Sequence, residues 1–316
     1  MGELTVDGYT VRGYRPSDAE ALTALYNAME RAAGGHAGYV PDETNAIVHA
    51  MVADPAVDVQ LVFAPGGELA GAGVVTTPPG GGFRQDLPGG VAPSWVGRGI
   101  GRAVFAWQLE RAAEIHAAIA PDAAWQLEVG ANLNDERAQR LYERFGFTVA
   151  RYFFEMLAPA RTGVDAPVPA GTRVIAYEPA HERALYEAHM EAFADHWGYQ
   201  KREFEPWTGF TTRSDTFRPD LSRIAFDGDE IAGYILTYDD ADDDRAYVGQ
   251  VGTRRPWRRR GLAAGLLADV LGAAAQSGKA HVYLGVDADS PTGAVGVYKR
   301  VGFEVEARAV AYRKPL

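Results

Sequence analysis

Arg258-Arg259-Arg260-Gly261-Leu262-Ala263 opens an apolar-periodic stretch in which Leu262, Leu266, Val270 and Ala274 lie four apart, the spacing that lines one face of a helix. A basic, glycine-containing turn at a helix start aims several backbone N–H groups without intrahelical partners at one point, where phosphate oxygens can sit. The turn therefore reads as a diphosphate cradle. Further on, Tyr298-Lys299-Arg300-Val301-Gly302-Phe303 puts a phenol at the end of a short helix, just before a glycine and a final strand.

The same features occur earlier, in the same order, as Val96-Gly97-Arg98-Gly99-Ile100-Gly101 and Tyr142-Glu143-Arg144-Phe145-Gly146-Phe147. Glu68-Leu69-Ala70-Gly71 returns as Glu230-Ile231-Ala232-Gly233, and Arg98-Gly99 returns as Arg260-Gly261, both at an offset of 162. Near the start, Val11, Tyr14 and Leu22 return as Val174, Tyr177 and Leu185 at an offset of 163. Several matches in one order make this a duplicated domain. The length of 316 residues suits two domains, each large enough for its own core.

Periodicity and turn signals predict a mixed α/β pattern in each copy. In the first copy, strands fall at residues 9–14, 57–64, 69–77, near 91, 124–129 and 147–156, and helices at 17–33, 41–53, 100–118 and 134–145. In the second, strands fall at 174–177, 223–226, 231–238, 247–253, 281–287 and 305–312, and helices at 181–193, 262–276 and 293–301. Residues 157–173 contain Pro159, Gly163, Pro167, Pro169 and Gly171, which is linker chemistry. The expected division is a first domain over 1–160, a linker over 161–172 and a second domain over 173–316.

Composition narrows the function. The net charge of −11 disfavours nucleic acid and anionic membrane as partners, because phosphate would be repelled over most of the surface. Against that background, Arg254, Arg255, Arg258, Arg259 and Arg260 form a local cationic patch suited to a small, multiply anionic ligand. No cysteine is present, which removes disulfides, thiolate metal sites and a cysteine nucleophile. The seven histidines show no ligand spacing, so no metal is expected. With no secretion signal at the N-terminus and no long apolar run, a cytoplasmic monomer or homodimer is expected.

With these residues in view, each half resembles the GNAT superfamily of acyl-CoA-dependent N-acyltransferases, whose signature is Arg or Gln, two residues, Gly, one residue, then Gly or Ala. Arg258, Gly261 and Ala263 satisfy it. The resemblance implies a mostly antiparallel central sheet flanked by helices, in two tandem domains. It further implies a splay between two strands that admits the pantetheine arm of acetyl-CoA, and direct acetyl transfer to an amine. It assigns Val251, Gly252 and Thr253 to the strand end facing the pantetheine, Arg258, Arg259, Arg260, Gly261, Leu262 and Ala263 to the cradle, and Tyr298 to the general acid. In the first copy Arg98, Gly99 and Gly101 match the cradle, but Val96 stands where Arg or Gln is expected. The strand before it is interrupted by Gly80, Gly82, Pro88, Gly89 and Gly90, a poor ladder. The second half is therefore expected to catalyse, while the first either binds coenzyme A or only supports it. The tandem layout is similar to that of mycothiol synthase and its relatives, but Tyr247 stands at the position matching their acidic base, which points to a different acceptor.

The base and the acceptor wall are less sharply marked. An imidazole is the side chain suited to taking a proton near neutrality, and His196, with Asp195, follows the first helix of the second copy. Trp197, Tyr199, Phe204, Trp207 and Phe210 crowd the same stretch, and either line a pocket for a small amine or plug the core. Asp195, Trp197, Tyr199 and Trp207 are the candidate acceptor residues. The leading expectation is an acetyltransferase acting on a small-molecule primary amine. A coenzyme A-binding scaffold without turnover and a protein N-acetyltransferase are the alternatives.

Overall fold

A computed structural model describes residues 4–80, 82–240, 242–290 and 292–316. The chain forms two compact units, one running up to Arg151 together with Ala309–Leu316, the other Tyr152–Arg308. In sequence order the first half contains β1 (Thr10–Gly13), α1 (Ala19–Ala33), α2 (Pro41–Met51), α3 (Pro55–Asp58), β2 (Val59–Phe63), β3 (Leu69–Val74), β4 (Arg84–Asp86) and β5 (Gly89–Val91). It continues with α4 (Ile100–Ile119), β6 (Gln126–Asn132), α5 (Glu136–Arg144) and β7 (Thr148–Pro159). The second half contains β8 (Thr172–Ala176), α6 (Glu182–Phe193), α7 (Phe204–Phe210), β9 (Arg223–Asp227), β10 (Glu230–Asp239) and β11 (Arg245–Thr253). After these come α8 (Leu262–Gln276), β12 (His281–Asp287), α9 (Ala294–Val301) and β13 (Glu304–Pro315).

In the first unit β1, β2, β3 and β5 form an antiparallel sheet in the order β1-β2-β3-β5. β4 instead pairs in parallel with β6, Arg84 opposite Gln126. The interruption that the glycines and Pro88 predict is thus a full break: one strand becomes two three-residue pieces. Buried Gln108 of α4 donates to the carbonyls of Val74 (2.8 Å) and Pro88 (2.9 Å). The Pro88 carbonyl also accepts from the Val74 N–H at 2.8 Å, so the side chain bridges both strands at the break, where an unpaired buried carbonyl would be costly.

In the second unit the sheet order is β7-β12-β11-β10-β9-β8. Two irregularities shape its centre. Register between β10 and β11 shifts, with Leu236 opposite Gln250 and Thr237 opposite Val248, so Gly249 is the extra residue of a bulge, which bends its strand locally. Parallel pairing of β11 with β12 runs only from Arg245 opposite His281 to Val248 opposite Leu284, although the strands continue to Thr253 and Asp287. Beyond the bulge the two strands are no longer paired.

The compact units divide at residues 151–152 and 308–309, away from the expected linker over 161–172. β7 is 12 residues long, about 40 Å at strand rise, whereas β12 has seven. Its Phe153–Pro159 stretch pairs with β12 in the second unit, and Ala309–Pro315 of β13 pairs with β6 in the first. Each unit is therefore completed by strand residues from the other half of the sequence. The expected linker also packs. Val164, Ala166 and Val168 lie on the core of α8 and α9, and a side chain on Gly265 of α8 would stand 2.7 Å from a methyl of Val168.

Both faces of the second sheet are filled. One carries Ile235, Val248, Leu262, Leu266, Leu284 and Tyr298 under α8 and α9. The other carries Tyr186, Trp207, Ile224, Tyr234 and Leu236 under α6 and α7. Among the described residues no helix is long and apolar enough to cross a membrane.

Candidate active site

The cradle of the second unit is built by backbone shape. Gly261 caps α8 in the left-handed region at φ 87°, and Arg259 is the one described non-glycine residue with positive φ, at 61°. A Cβ on Gly261 would meet nothing within 4 Å, so the mouth of the turn is open. The first-turn N–H groups of α8, at Leu262 and Ala263, face it without intrahelical partners.

The five nearby arginines divide their work. Arg258 turns back from the mouth, donating to both carboxylate oxygens of Asp195 (2.7 and 3.1 Å), to the carbonyl of Ala192 (2.9 Å) and to that of Thr253 (3.1 Å). It fastens the turn to the end of α6 and to the last residue of β11. Arg254 makes a second tie, to Glu191 at 2.6 Å, and Arg255 lies 3.7 Å from Asp195. Exposed Arg259 and Arg260 make no hydrogen bond or ion pair with a described residue, which leaves them for anionic oxygens. The arrangement fits a diphosphate, held by the turn amides with two free guanidinium groups beside them.

Tyr298 of α9 is 7% exposed, in one packed cluster with Leu262 at the cradle and Leu284 at the splay, against which Val251 also packs. Its hydroxyl has no hydrogen-bond partner among the described residues, and burial pushes the phenol up to about 12. Gly252 is buried on the same strand end.

On the other face, expected acceptor residues separate. Asp195 spends its carboxylate on Arg258, whose hydrogen bonds hold it below the usual carboxylate range. Trp207 is 3% exposed and lies between Tyr186 (5.5 Å) and His189 (5.3 Å), so it belongs to the core. Tyr199 and Trp197 are half-buried at the rim: the Tyr199 hydroxyl meets the sulfur of Met190 at 2.9 Å, and Trp197 packs on Phe153 at 6.0 Å. His196 is exposed beside its neighbour's carbonyl and the ring of Phe193. No contact joins it to Tyr298.

Two residues escape the sequence reading. Tyr234 is fully buried, and its hydroxyl lies 2.6 Å from Nδ1 of His189. Burial, then the nearby His196, pushes His189 down to about 4, while burial raises the Tyr234 phenol. The signal that could have exposed them is the first difference after the repeated tetrad, where Ala72 in one copy becomes Tyr234 in the other.

The first unit repeats the cradle with a different filling. Gly97 and Gly99 both adopt φ 85°, Gly99 capping α4, and Arg98 stacks over Trp95 at 4.5 Å. A cleft of about 910 Å³ is lined by Met29, Val91, Val96, Gly99, Gly101 and Tyr142. Val96 cannot make the ties of Arg258. The Tyr142 hydroxyl, moreover, is occupied, donating to the Gly130 carbonyl at 3.3 Å.

Comparison with known proteins matches residues 182–303 to the acetyltransferase (GNAT) family and residues 59–149 to an acetyltransferase (GNAT) domain. A solved GCN5-related N-acetyltransferase from Sphaerobacter thermophilus is 31% identical, the match covering 98% of this chain and 96% of that one, with a TM-score of 0.80. A tandem GNAT protein from the clavulanic acid biosynthesis pathway is 18% identical over 97% of this chain and 98% of that one, with a TM-score of 0.69. A putative acetyltransferase from Pyrococcus horikoshii shares the fold at 16% identity and a TM-score of 0.64, over 100% of this chain and 92% of that one. No curated protein matches significantly.

Proposed function

Since the chain belongs to the GNAT family of acyl-CoA-dependent acyltransferases, we propose that it moves an acetyl group from acetyl-CoA directly to the primary amine of a small molecule, in its second unit. The observation that carries this reading is the conjunction in one unit of the open Gly261 turn, the parting of β11 from β12, and a buried phenol whose hydroxyl is unspent.

The turn amides, Arg259 and Arg260 hold the diphosphate, and the pantetheine arm enters between the parted strands, where β11 has free edge groups to pair with it. Backbone N–H groups at Val251 to Thr253 polarise the thioester carbonyl. As the amine nitrogen bonds to the carbonyl carbon, the C–S bond breaks and Tyr298 donates its proton to the sulfur. A phenol at about 12 holds that proton firmly until a thiolate appears. The same burial disfavours the thiolate, which narrows the gap from a free thiol's value of about 8.5.

A thiol-release assay with acetyl-CoA and a panel of primary amines tests the reading. Tyr298→Phe is expected to lower kcat by about a hundredfold or more, the scale of a lost general acid, with coenzyme A affinity unchanged. Wild-type turnover in the Phe variant would remove Tyr298 from the mechanism. A second reading applies to the first unit: its cleft of about 910 Å³ and committed Tyr142 hydroxyl favour holding the thioester without transferring it.

A further inference from the structure

Acyl transfer to an amine needs two proton movements, one onto sulfur and one off nitrogen, and Tyr298 accounts only for the first. Its neighbours in the packed cluster, Leu262, Leu284, Val286 and Phe303, are apolar and cannot take the second proton. The opposite face of the sheet carries a hydrogen-bonded phenol and imidazole beside the same strand end. Alternation along β10 decides which residues point there: Ile235 packs in the cluster of Tyr298, whereas Tyr234 and Leu236 pack in the cluster under α6.

Tyr234 is paired with Gly252 across the ladder. A Cβ built on Gly252 would fall within the Tyr234 ring, 2.7 Å from its hydroxyl. The tip of the phenol thus abuts the bare backbone of the strand end that faces the thioester in the reading above. Behind it stands His189, 2.6 Å from the hydroxyl, stacked on Phe193 at 4.5 Å and packed on Trp207. Its Nε2 makes no hydrogen bond with a described residue. A fully buried phenol hydrogen-bonded to a buried imidazole is an expensive arrangement for mere packing, which Phe and Leu would supply without polar groups.

Resting on the acetyl-transfer reading, we propose that Tyr234 and His189 form the proton acceptor for the amine: Tyr234 takes the proton from nitrogen while passing its own to Nδ1 of His189. The balance is complete. The N–C bond forms and the C–S bond breaks; the nitrogen loses one proton, which ends as the imidazolium of His189, and the sulfur gains one from Tyr298. Solvent then takes the proton from His189 and returns one to the Tyr298 phenolate. In this scheme the amine nitrogen meets the Tyr234 hydroxyl at the Gly252 strand end once the strand shifts to admit it, and His189 acts through it as a positioning and relay residue. Burial keeps the imidazole neutral at pH 7, so its Nδ1 lone pair is available to the phenol. The titratable groups that face it are Tyr234 from β10 and His196 and Tyr199 from the loop after α6.

Thiol release and calorimetric titration of coenzyme A, run on the full chain, test this. Tyr234→Phe, which keeps the ring, is expected to lower kcat by about a hundredfold with KM for the amine and coenzyme A affinity within about twofold. His189→Gln can still bond the phenol but cannot accept a proton, and should lower kcat by about tenfold or more, with the fall in kcat toward acid pH altered. If Tyr234→Phe fails to fold, the His189→Gln result decides. Should Tyr298→Phe lose turnover while Tyr234→Phe and His189→Gln keep it, the acetyl-transfer reading stands and the relay is overturned. No thiol release by the wild type with any amine overturns both.

Discussion

The two halves follow one plan, a strand, helices, a run of strands, a glycine-capped helix, a strand, a helix and a last strand, and differ in what fills it. In the first, Val96, Ala72 and Tyr26 stand where the second has Arg258, Tyr234 and His189, and the strand before the cradle is broken into β4 and β5. In the second, the turn is tied to α6, the strand end carries a hydrogen-bonded phenol, and the phenol of α9 is left unpaired. A glycine turn at a helix start survives in both, because anion binding needs only backbone. Among the positions that differ are the ones to which the proposed mechanism gives proton transfer and the anchoring of the strand end. One duplicated fold thus retains the glycine turn twice, while the phenols and imidazole of the proposed proton transfer occur together in the second half alone.

The largest expected difference lies at the two capping glycines. Gly261→Asp puts a carboxylate at the mouth of the turn, at a φ of 87° that costs a side-chain-bearing residue about 1–2 kcal/mol, and directly against the diphosphate. Turnover should fall by about a thousandfold or more. Gly99→Asp makes the same change in the first unit and should leave most of the activity. Kinetics on both variants check this, and the reverse pattern would move catalysis to the first half.

Much of this was legible in the chain and some was not, for physical reasons. The glycine turn at Arg258 to Ala263 and the break before Val91 could be read because turns and breaks follow from glycine and proline alone. The fold class could be read because two copies with matching periodicity leave few alternatives. Arg258 was read as part of the phosphate grip, yet its guanidinium serves the carbonyls of Ala192 and Thr253 and the carboxylate of Asp195. Partners 66 residues apart leave no local pattern. α7 was hidden because Phe204 to Phe210 contains Pro206 and Gly209, which read as loop. The crossing of β7 and β13 between units was equally hidden, because strand pairing between distant segments has no signature in either one. Tyr234 and His189 were missed since a tyrosine inside a strand and a histidine inside a helix each look like core until the ladder brings them together.

A smaller but separable difference is in acid stability. His189 in the folded second unit is neutral down to about 4, while an unfolded histidine protonates near 6.5. Between those values the unfolded chain binds the extra proton, so stability rises with pH there. The contribution is whole above about pH 6.5 and is lost as pH falls toward 4, on the order of 3 kcal/mol in total. Tyr26, the first-unit counterpart, is pushed upward by burial and contributes nothing in this window. Urea denaturation at pH 7 and at pH 4.5 should show the second unit losing more than the first. His189→Gln should flatten that loss, and an unaltered slope would show that the imidazole is not buried neutral.

The smallest effect expected is at Arg258, because it acts on the cradle indirectly. Its side chain is roughly a fifth exposed and pairs with a 42% exposed Asp195, a setting in which the ion pair itself is worth little. What the side chain supplies is geometry, holding the Thr253 carbonyl and the end of α6 in one place. Arg258→Val converts the second turn to the form the first already has at Val96. Coenzyme A should then bind about tenfold more weakly, equivalent to about 1.4 kcal/mol, with kcat lowered less than KM is raised. Calorimetry on this variant also asks how the halves differ in binding. If the first cradle grips coenzyme A without such an anchor, the variant's second site should approach the first in affinity. If Arg258→Val leaves the second site unchanged, the anchoring ties are packing, and the unequal chemistry of the halves rests on the phenols and His189 alone.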